Sequence, residues 1–184
     1  MIQHIPGHSK KRAIITGITG QDAAYLSKLL LAKDYQLIGV CRKGGQPDLT
    51  RLAYLGILDN IQLVECDLVN QGDCMDLIAK YQPDEVYNLA AQSSVSSSFQ
   101  FPRVTIEFNI ISVLNLLEAI RMKSCHSRFY QASSSEMYGI VNQLPITIQS
   151  VLHPVSPYGI SKAAGHWLVS QYRESYNLFA VSGI

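Results

Sequence analysis

Short apolar runs rich in β-branched residues alternate along this chain with longer stretches whose apolar positions recur at helical spacing. Ala13-Ile14-Ile15-Thr16 predicts a first strand. Residues 21–33 predict a helix with Ala23, Leu26, Leu29 and Leu30 on its inner face. Residues 37–41 and 61–66 predict the second and third strands, and residues 71–80 a helix that Pro83 closes off. Residues 85–89 predict a fourth strand. A long helix follows over 104–122, with Ile106, Ile110, Val113, Leu114 and Leu117 facing inward. Residues 128–132 predict a fifth strand, Pro157 suits the first turn of a helix reaching Tyr176, and residues 178–182 predict a sixth strand. Strands alternating with helices predict an α/β fold with a parallel, doubly wound sheet. Residues 42–50, with Gly44, Gly45 and Pro47, are expected to form an irregular loop.

Composition narrows this picture. At 184 residues, 47% hydrophobic, the chain can bury the core of one such domain. Its formal net charge of +1 carries no electrostatic footprint for nucleic acid or an anionic membrane. The apolar stretch Leu29-Leu30-Leu31-Ala32 is too short to span a bilayer. Residues 1–10 are polar, lack a hydrophobic signal core and read as a flexible lead, leaving one domain over 11–184. Cys41, Cys66, Cys74 and Cys125 make no CxxC pair; buried, reduced thiols in a cytoplasmic protein are the expectation. His4, His8, His126, His153 and His166 are scattered, so no metal site is expected. The chain stops at Ser182-Gly183-Ile184, straight after a strand that a parallel sheet should bury. A truncated domain, with further strands or a second lobe missing, is therefore expected.

The candidate chemistry follows the strands. After the first comes Gly17-Ile18-Thr19-Gly20-Gln21-Asp22-Ala23, a glycine turn that opens a helix. Glycines there let the backbone approach a pyrophosphate held on the helix N-terminus, so a Rossmann dinucleotide site is expected. After the second come Arg42 and Lys43, basic where a 2′-phosphate would lie, with Arg51 as a further candidate; this favours NADP over NAD. After the third come Asp67 and Leu68, placed to meet an adenine, although Asp is also a common helix cap. After the fourth comes Asn88-Leu89-Ala90-Ala91-Gln92-Ser93, small enough to pack a backbone against a cofactor ribose, or simply a small-residue turn.

After the fifth come Ser133-Ser134-Ser135-Glu136, then Tyr158-Gly159-Ile160-Ser161-Lys162 at a helix start. A tyrosine and a lysine four residues apart share a helix face. A free tyrosine titrates near ~10 and is a poor base at neutral pH. A neighbouring ammonium favours the phenolate, which suits proton transfer at an alcohol or carbonyl. Ser134 could donate a hydroxyl and Glu136 could serve as a second acid/base. All of these motifs fall at the carboxyl ends of predicted strands, where ligands gather in open α/β sheets.

Together they resemble the extended short-chain dehydrogenase/reductase superfamily, and within it the GDP-mannose 4,6-dehydratases. The runs that carry the resemblance are Thr16 to Asp22, Tyr87 to Ser93, Arg128 to Ser133, Ser135 to Gly139, Ser156 to Gly159, His166-Trp167 and Tyr172 to Tyr176, from Lys11 onward. The resemblance implies that Tyr158 deprotonates a sugar C4 hydroxyl while hydride passes to NADP, and that Lys162 assists it and binds the nicotinamide ribose. It implies that Glu136 removes the C5 proton before water leaves from C6, with Ser134 standing where the family commonly has Thr. The implied cofactor site comprises Gly17, Thr19, Gly20, Gln21, Asp22, Arg42, Asp67, Leu68, Leu89, Ala90, Ala91, Ser93, Tyr158 and Lys162. The implied partners are GDP-mannose or a related nucleotide sugar and further copies of the chain, as a dimer or tetramer. Ala23 replaces a usual Gly, and the loop at Arg42-Lys43-Gly44-Gly45 is shorter than the family's. A GDP-4-keto-6-deoxymannose reductase or a nucleotide-sugar 4-epimerase would use Tyr158 and Lys162 without a C5 base. A non-catalytic dinucleotide-binding protein would need neither.

Overall fold

The computed structural model describes residues 10–141 and 144–184. Of the lead expected over 1–10, all but Lys10 lies outside the described residues. The chain runs β1 (Arg12–Thr16), α1 (Gln21–Ala32), β2 (Gln36–Arg42), α2 (Thr50–Tyr54), β3 (Ile61–Cys66), α3 (Gln71–Tyr81), β4 (Glu85–Asn88), α4 (Val95–Gln100), α5 (Pro102–Lys123), β5 (Arg128–Ala132), α6 (Pro157–Tyr176) and β6 (Ala180–Gly183). The strands form one parallel sheet in the order β3-β2-β1-β4-β5-β6. The chain winds outward from β1 to β3, then returns to build β4 on the other side of β1. The strand order therefore reverses between β1 and β4, and a crevice opens above their carboxyl ends.

Alternation along β1 divides the core. Ala13 and Ile15 face a layer built with Ala23, Ala24 and Leu30 of α1 and Leu52 of α2. Ile14 faces the other layer, with Leu77 and Ile78 of α3, Leu116, Leu117 and Ile120 of α5, and Val169 of α6. Burial on both faces is why these strands read as continuous apolar runs. Side-chain caps begin several helices: Asn70 accepts from Asp73 N–H at 3.0 Å, Ser94 from Ser97 N–H at 3.2 Å, and Ser156 from Gly159 N–H at 2.9 Å. Helix α3 ends on Gln82 in the left-handed region, just before Pro83. No helix among the described residues is long and apolar enough to cross a membrane.

Several expectations need correction. Leu29 is 54% exposed; α1 instead buries Ala23, Ala24, Ser27 and Leu30. Ile106 is 37% exposed, and the inner face of α5 carries Thr105, Asn109, Ser112 and Asn115 beside its apolar residues. Asn109 and Asn115 meet loop backbone at the sheet edge, where an apolar side chain would strand N–H and C=O groups. Cys125 is exposed, in the turn after α5, whereas Cys41, Cys66 and Cys74 are buried. The short helices α2 and α4 were not foreseen, being only 5 and 6 residues long, too short for a periodic apolar stripe.

Phe129, on β5, is 1% exposed and is among the largest fully buried side chains. Phe129→Ala is expected to cost about 3–5 kcal/mol, read by denaturant unfolding. A loss below about 1 kcal/mol would mean this side of the sheet is loosely packed.

Candidate active site

The glycine turn after β1 is held by contact with the loop after β4. Gly17 has φ +66°, and a Cβ there would come within 2.9 Å of the Ala90 backbone. Gly20 N–H donates to the Gly17 carbonyl at 2.9 Å and closes the turn. Unlike α3, α4 and α6, α1 starts with no side-chain cap, so its first N–H groups remain open to an anion. Ala23 packs into the α1 core layer at 1% exposure.

A cleft of about 790 Å³ lies above this turn. Gly17, Thr19, Arg42, Asp67, Leu68, Ala90 and Ala91, all singled out from sequence, line it. Gly20, Gln21, Asp22, Leu89 and Ser93 adjoin these residues along the chain without lining the cleft. Arg42 is exposed on the rim. Lys43 is drawn aside to Asp73, at 2.9 Å, which leaves Arg42 as the basic group of that pair facing the cleft. Arg51 reaches the Thr19 carbonyl at 3.2 Å and so guards the glycine turn. Asp67 is exposed, and one carboxylate oxygen accepts from Val69 N–H at 3.1 Å.

Ser134, Glu136, Tyr158 and Lys162 form a second group at the same edge, between β5 and α6. Ser134 Oγ accepts from Glu136 N–H at 3.2 Å and caps the short turn Ser135–Met137. Its hydroxyl hydrogen is left free to donate. Gly159 brings α6 against that turn: a Cβ there would lie 2.6 Å from the Glu136 carbonyl. Tyr158 and Lys162 stand one turn apart, with Lys162 Nζ 5.9 Å from the centre of the tyrosine ring. Lys162 Nζ donates to the Ala132 carbonyl at 2.6 Å. Burial lowers the pKa of Lys162 to about 8, so the ammonium is held near its titration point. His166 Nδ1 pairs with Ser133 Oγ at 3.0 Å, and burial, then Arg173, holds its pKa below the usual histidine value.

Sequence reasoning missed the residues that hold these loops in place. Asn109 accepts from Gln92 N–H at 2.8 Å and donates to the Gln92 carbonyl at 3.1 Å and to Ser161 Oγ at 2.9 Å. Asn115 donates to the carbonyls of Leu68 and Val69 at 3.0 and 2.9 Å. One helix thus fixes the loop after β3, the loop after β4 and the start of α6. The available signal was a polar stripe, Thr105, Asn109, Ser112 and Asn115, at helical spacing inside an apolar helix.

A reversal point between β1 and β4, a glycine turn, and a Tyr–Lys helix after β5 together define a short-chain dehydrogenase/reductase-type protein. Solved structures agree. The UDP-glucose 4-epimerase of Thermus thermophilus, complexed with NAD, superposes with TM-score 0.82 at 27% identity, over 93% of this chain and 53% of that one. DesIV of Streptomyces venezuelae, a dTDP-glucose 4,6-dehydratase with NAD and TYD bound, superposes with TM-score 0.80 at 25% identity, over 91% of this chain and 52% of that one. The sequence model of the GDP-mannose 4,6 dehydratase family matches residues 14–184. GDP-mannose 4,6-dehydratase of Vibrio cholerae serotype O1 is 42% identical over 96% of this chain, and that of Homo sapiens 39% over 97%. This chain belongs to the GDP-mannose 4,6-dehydratase family. It spans about half the length of these curated relatives, 49% and 50%.

The buried lysine makes one testable statement about stability. Unfolded, Lys162 keeps its proton up to its ordinary value of 10.5; folded, it releases it near 8. Between those values the unfolded chain binds the extra proton, so stability rises with pH. The stability of the wild type relative to Lys162→Met is therefore expected to increase between about pH 8 and pH 10.5, by a few kcal/mol at most. Denaturant unfolding of both proteins at the two ends of that window checks it. A flat or falling difference would place the ammonium in water.

Proposed function

We propose that this chain carries the dinucleotide-binding and catalytic part of a GDP-mannose 4,6-dehydratase, a lyase that converts GDP-mannose to GDP-4-keto-6-deoxymannose. The observation that carries this reading is the close packing of the Glu136 turn against Gly159, beside Tyr158. It joins a C5 base to a C4 base. The names of the relatives at about 40% identity support the substrate.

NADP fits the residues present: the Gly17 cradle would be filled by any Cβ, and α1 offers uncapped N–H groups to a pyrophosphate. When bound, NADP supplies a hydride acceptor for C4 and a hydride donor for C6. Gly17, Thr19, Gly20, Gln21 and Asp22 would hold the pyrophosphate, Arg42 the 2′-phosphate, and Asp67 and Leu68 the adenine. Leu89, Ala90, Ala91 and Ser93 would take the nicotinamide side, together with Tyr158 and Lys162.

The chain's own groups then move the protons. Tyr158 Oη takes the proton of the sugar C4 hydroxyl, and Ser134 Oγ–H donates to the C4 oxygen. With C4 a carbonyl, the C5 proton becomes acidic and the Glu136 carboxylate removes it. The proton taken from C5 passes to the C6 hydroxyl, which leaves as water, and once C6 has received hydride, C5 takes a solvent proton through Glu136. Lys162 supplies positive charge beside Tyr158 while its proton remains bound, that is, below about pH 8.

Incubation with GDP-mannose and NADP⁺ in D₂O tests the reading. A 4-keto-6-deoxy product carrying solvent deuterium at C5 is expected. Tyr158→Phe should lower kcat by roughly 10²- to 10⁴-fold, and Glu136→Gln should abolish the deuterium at C5. A 4-epimerised sugar without deuterium at C5 would replace the dehydratase with an epimerase. Arg42→Ala should weaken NADP⁺ binding by roughly tenfold or more and leave NAD⁺ binding unchanged, by calorimetric titration. Equal losses for both would remove Arg42 from 2′-phosphate recognition.

A further inference from the structure

A chain of hydrogen bonds crosses the buried sheet edge from the Ala90 loop to Lys162, and its direction follows from its first donors. The N–H groups of Leu89 and Ala90 donate to Thr16 Oγ1 at 3.2 and 3.1 Å. A backbone N–H can only donate, so Thr16 Oγ1 accepts there and must send its own hydrogen elsewhere. It goes to Asn88 Oδ1, at 2.6 Å. That fixes the orientation of the Asn88 amide, whose Nδ2 donates to Gln131 Oε1 at 2.8 Å. Gln131 is fixed in turn, and its Nε2 donates to the Ala132 carbonyl at 3.0 Å. Lys162 Nζ donates to the same carbonyl oxygen. Thr16, Asn88 and Gln131 are at most 3% exposed, so little water competes for any step.

The Ala132 carbonyl therefore serves two donors. β4 pairs with β5 as far as Asn88 and Gln131, so Ala132 lies one residue past that ladder. Two consequences follow for Lys162. Sharing the oxygen weakens its hold on the ammonium, and the positive end of the aligned amide dipoles points at that same oxygen. Both disfavour the charged form.

We propose that Gln131 is a positioning residue for Lys162: it shares the Ala132 carbonyl, limits that carbonyl's grip on the ammonium, and links the lysine to the loop at Ala90. The proposal deepens the dehydratase reading and rests on it for the use made of Lys162. The titratable and charged groups on the elements packed around Lys162 are Tyr158, His166, Tyr172, Arg173, Glu174 and Tyr176 on α6, Glu136 on the turn after β5, Arg128 and Tyr130 on β5, and Arg103, Glu107, Glu118, Arg121 and Lys123 on α5. Burial lowers its pKa.

The test reads Lys162 directly, without turnover. The ε-carbon signals of ¹³C-lysine-labelled protein are followed by NMR across pH, with Lys162→Arg identifying the resonance. Gln131→Met removes the shared donor, so Lys162 is expected to titrate roughly half a unit or more higher than in wild type. Gln131→Glu keeps the acceptor for Asn88 and adds a negative charge, so it is expected to shift the titration further up. Circular dichroism confirms that each variant is folded, and Gln131→Glu carries the test alone where the methionine variant does not fold. An unchanged or lowered titration in a folded variant overturns the proposal. If wild type makes no keto sugar while the Gln131 variants still shift Lys162, the dehydratase reading fails and the positioning role stands.

Discussion

Between Gly17 and Ala90 there is no room for a methyl group. Much of the candidate site depends on that approach. It brings the turn after β1 to the loop after β4 at the one place where the strand order reverses. Once these backbones touch, the N–H groups of Leu89 and Ala90 are out of reach of any strand partner, and Thr16 must accept both. A steric condition at one glycine thus becomes a hydrogen-bonding condition on Thr16, Asn88 and Gln131. Buried polar groups are costly when unpaired, and the side chains of Thr16, Asn88 and Gln131 are each paired here.

The two halves of the site use opposite physics. On the dinucleotide side, the useful groups are left unpaired: α1 begins without a cap, and Arg42 stands exposed on the rim. On the side proposed for proton transfer, groups are tied down. Lys162 is buried against a carbonyl, Ser134 is held by the turn it caps, and Tyr158 is 8% exposed. Open donors suit an anionic ligand that arrives and leaves. Fixed ones suit chemistry that tolerates little displacement.

The sheet was readily legible because each strand carries a short run of β-branched or aromatic residues between turn residues. The predicted bounds of β3 and β5 coincide with those in the structure. The site's location followed from the same logic, since the residues noted after each strand do stand at one edge. What could not be read was rotation. An apolar count put Leu29 and Ile106 inside, yet Leu29 is 54% exposed and Ile106 37%, because α1 packs through Ala23, Ala24, Ser27 and Leu30 and α5 sets amides and hydroxyls beside its buried apolar residues. Gln131 was invisible for a related reason, and the polar stripe that carries Asn109 and Asn115 did not show what those residues hold. A buried amide announces itself only through its partners, and those lie 43 to 52 residues away along the chain in the contacts that matter most.

That long reach has a consequence for how the protein comes to be functional. Helix α5 pins Leu68 and Val69 from 47 and 46 residues away, and Ser161 from 52. None of these bonds forms while the intervening strands are unpaired, since loop closure over such distances is rewarded only by assembled neighbours. The loops above the sheet are thus expected to take their shape only after the sheet beneath them has assembled. Loosening α5 from the sheet releases them together, so the site is lost as a unit and not one loop at a time.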